Sequence, residues 1–215
     1  TDSWRRHSAL RAELNTVSAT RLTIPLFPLA AVLFPDGPLP LRIFEARYLD
    51  MISRCLREDS EFGVVQIRSG SDIGEVETAS VGTLARIADW YQGSDGILGI
   101  TARGTRRFML HGMGRQPDGL YTAEVELLAE EPQLPLPEEF RSMAALLETV
   151  INDLGRLYDA IDKRYDDAAW VGYRLTEILP MPSAEKQSCL ELMDPIERLR
   201  VLRPMLRPFR HERGQ

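Results

Sequence analysis

Cysteine, histidine and lysine are all scarce in this sequence. Cys55 and Cys189 are the only cysteines, too few for a disulfide framework and without zinc-ligand spacing. His7, His111 and His211 are scattered, two of them near the ends, so a metal site is not expected. A lone thiol on the apolar face of a helix behaves as a small hydrophobe, the reading given to both cysteines. Of the 26 cations only Lys163 and Lys186 are lysines. The rest are arginines, which stay protonated and serve poorly as bases or Schiff-base amines. No Gly-Lys dipeptide occurs, so a Walker A loop cannot be written, and no G-x-G-x-x-G follows a strand. Neither nucleotide-driven work by these residues nor a cofactor is expected. No apolar run approaches the roughly 18 residues of a membrane span. The start, TDSWRRHSALRAELN, lacks the apolar core of a secretory signal. The expectation is a cytoplasmic chain that does not engage a membrane.

What is present is globular in composition: 215 residues, 44% apolar and 27% charged, enough for one large domain or two small ones. The net charge of −6 argues against a dedicated nucleic-acid binder, although a local basic stripe is compatible with an acidic total.

The pattern along the chain divides it. Residues 4 to 20 read as a loose amphipathic helix or a frayed extension. Structure proper begins near residue 21. In RLTIPLFPLAAVLFPDGPLPLRIF, five prolines from Pro25 to Pro40 exclude a helix and a central strand. Short strands between the prolines, wrapped onto a barrel or sandwich, remain. Phe44, Tyr48, Met51, Ile52, Cys55 and Leu56 then fall on one helical face. From Glu61 to Leu128 the period becomes two, with hairpin turns at Ser94-Asp95-Gly96 and Pro117-Asp118-Gly119. GILGITARG and TRRFMLHG read as separate strands around a turn at Gly104. EEPQLPLPEE (130–139) reads as a stiff polar connector. Beyond it a stripe from Phe140 to Tyr158 predicts a helix, and Asp166-Asp167, Ser183 and Asp194-Pro195 mark later helix starts. The expected organisation is an extension at 1–21, a β-rich unit at 22–130 and a helical unit at 138–208.

No catalytic set emerges. Ser183-Ala184-Glu185-Lys186 matches the serine–lysine spacing S-x-x-K, but its companion motifs are missing and Ser183 stands where a helix cap belongs. The acid pairs Glu130-Glu131, Glu138-Glu139 and Asp166-Asp167 fall at linkers and helix starts, where solvated carboxylates are ordinary. Arg103, Arg106 and Arg107, with Arg115 beyond, form the densest basic spot. They can contact a phosphate or an acidic peptide, or protect an edge strand by charge. Trp90-Tyr91 beside a loop is a candidate binding anchor, though alternation turns one of the two toward the core.

IPLFPLAAVLFPDGPLPLRIFEARYLDMI (24–52) closely resembles the opening of the N-terminal, substrate-binding domain of the Lon proteases. The likeness continues through Phe62-Gly63-Val64-Val65, Val81-Gly82-Thr83-Leu84-Ala85 and Gly104-Thr105-Arg106-Arg107-Phe108, and into SAEKQSCLELMDPIERLRVL. It departs at Asp36, where the family usually has Gly, and at Ala46, where it usually has Pro. The resemblance implies an α+β fold: a PUA-like antiparallel β pseudobarrel with one inserted helix, followed by a C-terminal helical bundle. In Lon this region precedes an ATPase and a protease; here the chain ends where those would start. The expectation is therefore a free-standing, non-catalytic module that binds unfolded or extended polypeptide or a partner protein. Its candidate contacts are Phe34, Pro35, Trp90, Tyr91, Arg106 and Arg107, with core packing the alternative for Phe34. RNA binding is the alternative function, since PUA-like folds include RNA binders, and a serine hydrolase at Ser183 and Lys186 is a third reading. Oligomeric state is not legible.

Overall fold

Pro25 and Pro28 sit inside a single nine-residue strand. β1 (Arg21–Leu29) pairs antiparallel with β7 (Tyr121–Leu127) along its first half and parallel with β3 (Phe62–Gly70) along its second. The two pairings overlap only at Leu26, so each proline has a sheet neighbour on one side and its missing N–H can face the other. The expectation of short strands between prolines is corrected for this reason. The computed structural model describes residues 21–70 and 76–206; the helix read at 4–20 and the charged tail lie outside them.

β1, β7, β6 (Leu98–Arg115), β5 (Val81–Gln92) and β3 form a ring, closed by the parallel β1–β3 pairing. β2 (Pro38–Ile43) flanks β6 and the short β4 (Val76–Thr78) flanks β3. The remaining pairings are antiparallel, so the architecture is an α+β pseudobarrel with helices. The hairpins turn at Gly96 (φ 80°) and Gly119 (φ 86°), positions that favour glycine.

β6 is one 18-residue strand, and no turn exists at Gly104. That glycine marks a crossing instead. The loop at 33–37 lies against it, Asp36 N–H donating to the Gly104 carbonyl and Gly104 N–H to that of Gly37, both at 2.9 Å. A Cβ at 104 would stand 2.1 Å from the Phe34 carbonyl oxygen. Asp36 has φ 59°, a left-handed conformation that glycine adopts freely and that Asp tolerates better than most residues.

α1 (Ala46–Glu58) buries Tyr48, Met51, Ile52 and Cys55 against Phe27, Phe62 and Ile100. Phe44, which the periodicity placed on this face, precedes the helix and is 71% exposed; Leu56 is exposed as well. Arg47 is buried in their stead, donating to the Gly119 carbonyl at 3.0 Å and pairing with Glu45 at 2.7 Å. Ala46 is the first helical residue, a position that favours proline.

The helical part comprises α2 (Arg141–Leu154), α3 (Ala168–Ile178), α4 (Ser183–Glu191) and α5 (Pro195–Leu202). α2 stops at Gly155 (φ 59°), short of the expected Tyr158, and a 3-10 turn follows; Leu154 and Leu157 are exposed. Asp167 and Asp194 cap α3 and α5 through backbone N–H groups two and three residues on, as expected. Ser183 is no cap: extended Pro182 occupies that position and Ser183 is the first helical residue. Phe140, Leu147, Trp170, Val171, Leu199 and Leu202 belong to one apolar cluster. Among the described residues no helix is long and apolar enough to cross a membrane.

Candidate binding cleft

The sheet and the helices meet over Phe34, Val81, Tyr173 and Leu190. Beside this contact lies Glu131, the residue read as a solvated connector acid. Its carboxylate is buried and accepts from Arg107 of β6 at 2.9 Å, from Arg198 of α5 at 2.8 Å, and from the Tyr173 hydroxyl of α3. Arg107 also donates to the carbonyls of Leu190 and Leu192, at 2.6 and 2.9 Å. Arg198 reaches the Cys189 carbonyl at 2.9 Å and stacks 3.9 Å over the Tyr173 ring. Burial pushes the Tyr173 hydroxyl well above its usual range. Desolvation pulls the Arg198 pKa down, but the hydrogen bond to Glu131 and the fields of Tyr173, Glu131 and Cys189 together outweigh it and hold the pKa up. Buried charges persist only when paired and hydrogen-bonded, and both conditions are met.

A second tie joins α3 to the loop at 33–37. Arg174, fully buried, donates to the Pro35 carbonyl at 2.8 Å and pairs with Glu177 at 2.9 Å. The Tyr158 hydroxyl donates to Glu177. Lys186 donates to the Glu177 backbone carbonyl at 2.7 Å, and desolvation holds its amine below the usual lysine range. Ser183 and Lys186 line a small cavity of 240 Å³, but among the described residues no hydrogen bond joins hydroxyl to amine.

A larger cleft, of 550 Å³, opens between β5 and β6 on one side and the connector and start of α3 on the other. Arg86, Arg103, Arg106 and Arg164 stand in its walls, with Asp36, Glu130 and Asp167 among them. Asp36 takes both Arg103, at 3.2 Å, and Arg164. Arg106 is half-exposed, donates to the Leu128 carbonyl at 3.2 Å and lies 3.7 Å from Glu130. Arg86 is exposed and has no ion pair among the described residues.

The residues singled out from sequence are thus dispersed. Phe34 is fully buried, its ring 5.9 Å from that of Tyr173, so it packs the junction rather than offering an anchor. Pro35 lies on the rim of the cleft. Arg107 is committed to Glu131. Arg103 has β2 and β5 on its two sides, and Arg107 pairs with β5 while its carbonyl accepts from the Leu128 N–H, so neither guards an edge. Trp90 and Tyr91 are both exposed, 60% and 55%, although alternation assigned one of them to the core. Beyond Ala85, β5 leaves β3 and pairs with β6 alone, and its register shifts between Ile87 and Asp89. Past that shift Trp90 stands opposite the buried Ile100 and Tyr91 opposite Gly99, so the two aromatics lie on opposite faces of the hairpin. Sequence reasoning missed Glu131, Arg198, Arg174 and Arg86, whose roles depend on neighbours brought from elsewhere in the chain.

A family model for the ATP-dependent protease La (LON) substrate-binding domain matches residues 23–207. The chain belongs to this family. Lon protease from Erwinia amylovora is 26% identical over 207 residues, covering 90% of this chain. Lon protease from Escherichia coli K12 is 24% identical with the same coverage. The chain spans only 26% of the length of either relative. Protein cereblon from Danio rerio is 32% identical over 111 residues, half of this chain and 26% of that protein. Among solved structures, a Lon N-terminal domain protein from Xanthomonas campestris superposes with a TM-score of 0.70 at 37% identity, covering 84% of this chain and 96% of that one. The N-terminal domain of a Mycobacterium avium complex Lon protease gives 0.59 at 18% identity and the same coverage, a likeness of fold alone.

Proposed function

We propose that this Lon-family domain binds extended polypeptide and performs no bond-breaking chemistry of its own. The observation that carries this reading is the far end of the β5–β6 hairpin, where Trp90 and Tyr91 are both exposed. Trp and Tyr are the commonest anchors in interfaces, and here two adjacent ones stand in solvent. The strand beneath them supports the same reading. Beyond Ala85 one side of β5 has no strand partner, and the Trp90 N–H donates to the Asp89 side chain at 2.8 Å. An extended chain can join such an edge through its main chain while its apolar side chains meet the aromatics. β2 offers less, because Pro38 and Pro40 cannot donate to an added strand.

RNA is less well supported, because Asp36, Glu130 and Asp167 stand among the cleft arginines and repel a phosphate chain.

The test uses tryptophan fluorescence in a Trp4→Phe background, where exposed Trp90 and buried Trp170 are the remaining tryptophans. Titration with an unfolded model polypeptide is expected to saturate with a Kd below millimolar. Tyr91→Ala is expected to weaken binding about tenfold, the scale of an interface anchor. Binding weaker than millimolar, or unmoved by Tyr91→Ala, overturns the reading. An affinity for RNA that falls steeply with salt supports the alternative.

A further inference from the structure

Arg86 and Arg103 are directly opposite each other on β5 and β6, and both line the cleft. Residues directly opposite in an antiparallel pair point to the same face, and like charges there are destabilising. The structure relieves only one of them. Arg103 is held by Asp36, which it shares with Arg164, whereas Arg86 has no acidic partner among the described residues. Asp36 thus serves two guanidiniums, Arg164 having Asp167 at 3.8 Å as a second partner, while Arg86 beside them has no carboxylate of its own among the described residues. A negative group entering the cleft would supply the missing counter-charge.

The geometry points to an acidic side chain, Asp or Glu, of an extended peptide as the occupant of the Arg86–Arg103 position. This rests on the polypeptide-binding reading and names the chemistry of its ligand. A single carboxylate matches a planar guanidinium through paired hydrogen bonds, and it needs no more than the local excess of cation. A phosphate chain would bring further negative charge against Asp36, Glu130 and Asp167. The hairpin sets a spacing as well. Tyr91 pairs with Gly99 of β6, four residues from Arg103 and on the same face, about 13 Å of extended strand. A peptide with an acidic residue in the cleft and an apolar residue about four positions away reaches both features.

The experiment is fluorescence anisotropy of the whole chain with labelled ten-residue peptides. Each carries one Phe and, four positions away, either Asp or its neutral isostere Asn. The C-termini are amidated, and one further Asn peptide has a free C-terminus. The Asp peptide is expected to bind at least tenfold more tightly than the amidated Asn peptide. Arg86→Gln, at an exposed position, is expected to abolish that preference with Tm unchanged, and Arg86→Lys to restore part of it. Equal affinities for Asp and Asn overturn the inference and leave the polypeptide reading standing. So does a preference that survives Arg86→Gln, one that follows only the free C-terminus, or displacement of the Asp peptide by single-stranded RNA at lower concentration. Failure of both the peptides and the unfolded polypeptide to bind overturns the two together.

Discussion

Glu177 is held among Arg174, the Tyr158 hydroxyl and the turn at Gly37, where a Cβ would stand 2.2 Å from its carboxylate. Burial raises its pKa, and the opposing pull of Arg174, Tyr158 and Lys186 is smaller. A carboxyl whose folded pKa exceeds its unfolded value binds more protons when folded. Its contribution to stability is greatest below the unfolded value, about 4.3 for Glu, and is lost as pH rises through the folded one. Urea denaturation of the wild type and of Glu177→Gln between pH 4 and pH 7 isolates this group, because shared titrations cancel in the difference. The wild type is expected to lose stability relative to the variant as pH rises; the opposite slope contradicts the assignment. At this scale the sequence was legible where a residue acts on near neighbours. Asp167 and Asp194 serve N–H groups two and three positions on, and their cap signals were read correctly. Glu131 draws on Arg107, Tyr173 and Arg198, which no local pattern brings together, so it read as one more solvated acid.

Among the elements, β6 shows what pattern reading misses. Its period-two alternation was visible, but glycine at 104 suggested a turn, because glycine signals both positive φ and close approach. Here it is close approach: β6 runs straight under the loop at 33–37, and the Phe34 carbonyl occupies the space a side chain would need. Gly104→Ala is therefore expected to cost about 1–3 kcal/mol by overpacking. Gly112, in the same strand, has nothing within 4 Å of the corresponding Cβ position. Gly112→Ala is expected to be neutral or to stabilise by up to about 1 kcal/mol through the unfolded chain. Equilibrium urea unfolding of the pair checks this, and equal effects at the two sites would remove the crossing argument. The prolines in β1 carry a similar lesson. They limit where a strand can be paired on both sides, and this strand changes partner at Leu26.

For the whole molecule, the barrel and the helices are tied by a small apolar contact and by buried polar ones beside it. Arg107 of the barrel and Arg198 and Tyr173 of the helices converge on Glu131, and Arg174 grips the Pro35 carbonyl. The two-part plan was legible because the hydrophobic period changes from two to 3.6 across residues 130–139. How the parts join was not, because the joining carboxylate lies within the stretch that composition marks as connector. Removing its charge leaves two desolvated guanidiniums short of a counter-ion, and breaking a buried pair from one side costs about 3–5 kcal/mol. Glu131→Gln is expected to destabilise by that amount and to separate the unfolding of the two parts, so that sheet and helix signals in circular dichroism no longer coincide with Trp170 fluorescence. Glu139→Gln is the matched control. Its partner Arg203 is 2.9 Å away, but both side chains are half-exposed, so water screens the pair and its loss should cost less than about 1 kcal/mol. If Glu131→Gln unfolds in one transition within 1 kcal/mol of the control, the buried cluster is not what couples the barrel to the helices. The apolar contact of Phe34 and Val81 with Tyr173 and Leu190 would then carry the junction.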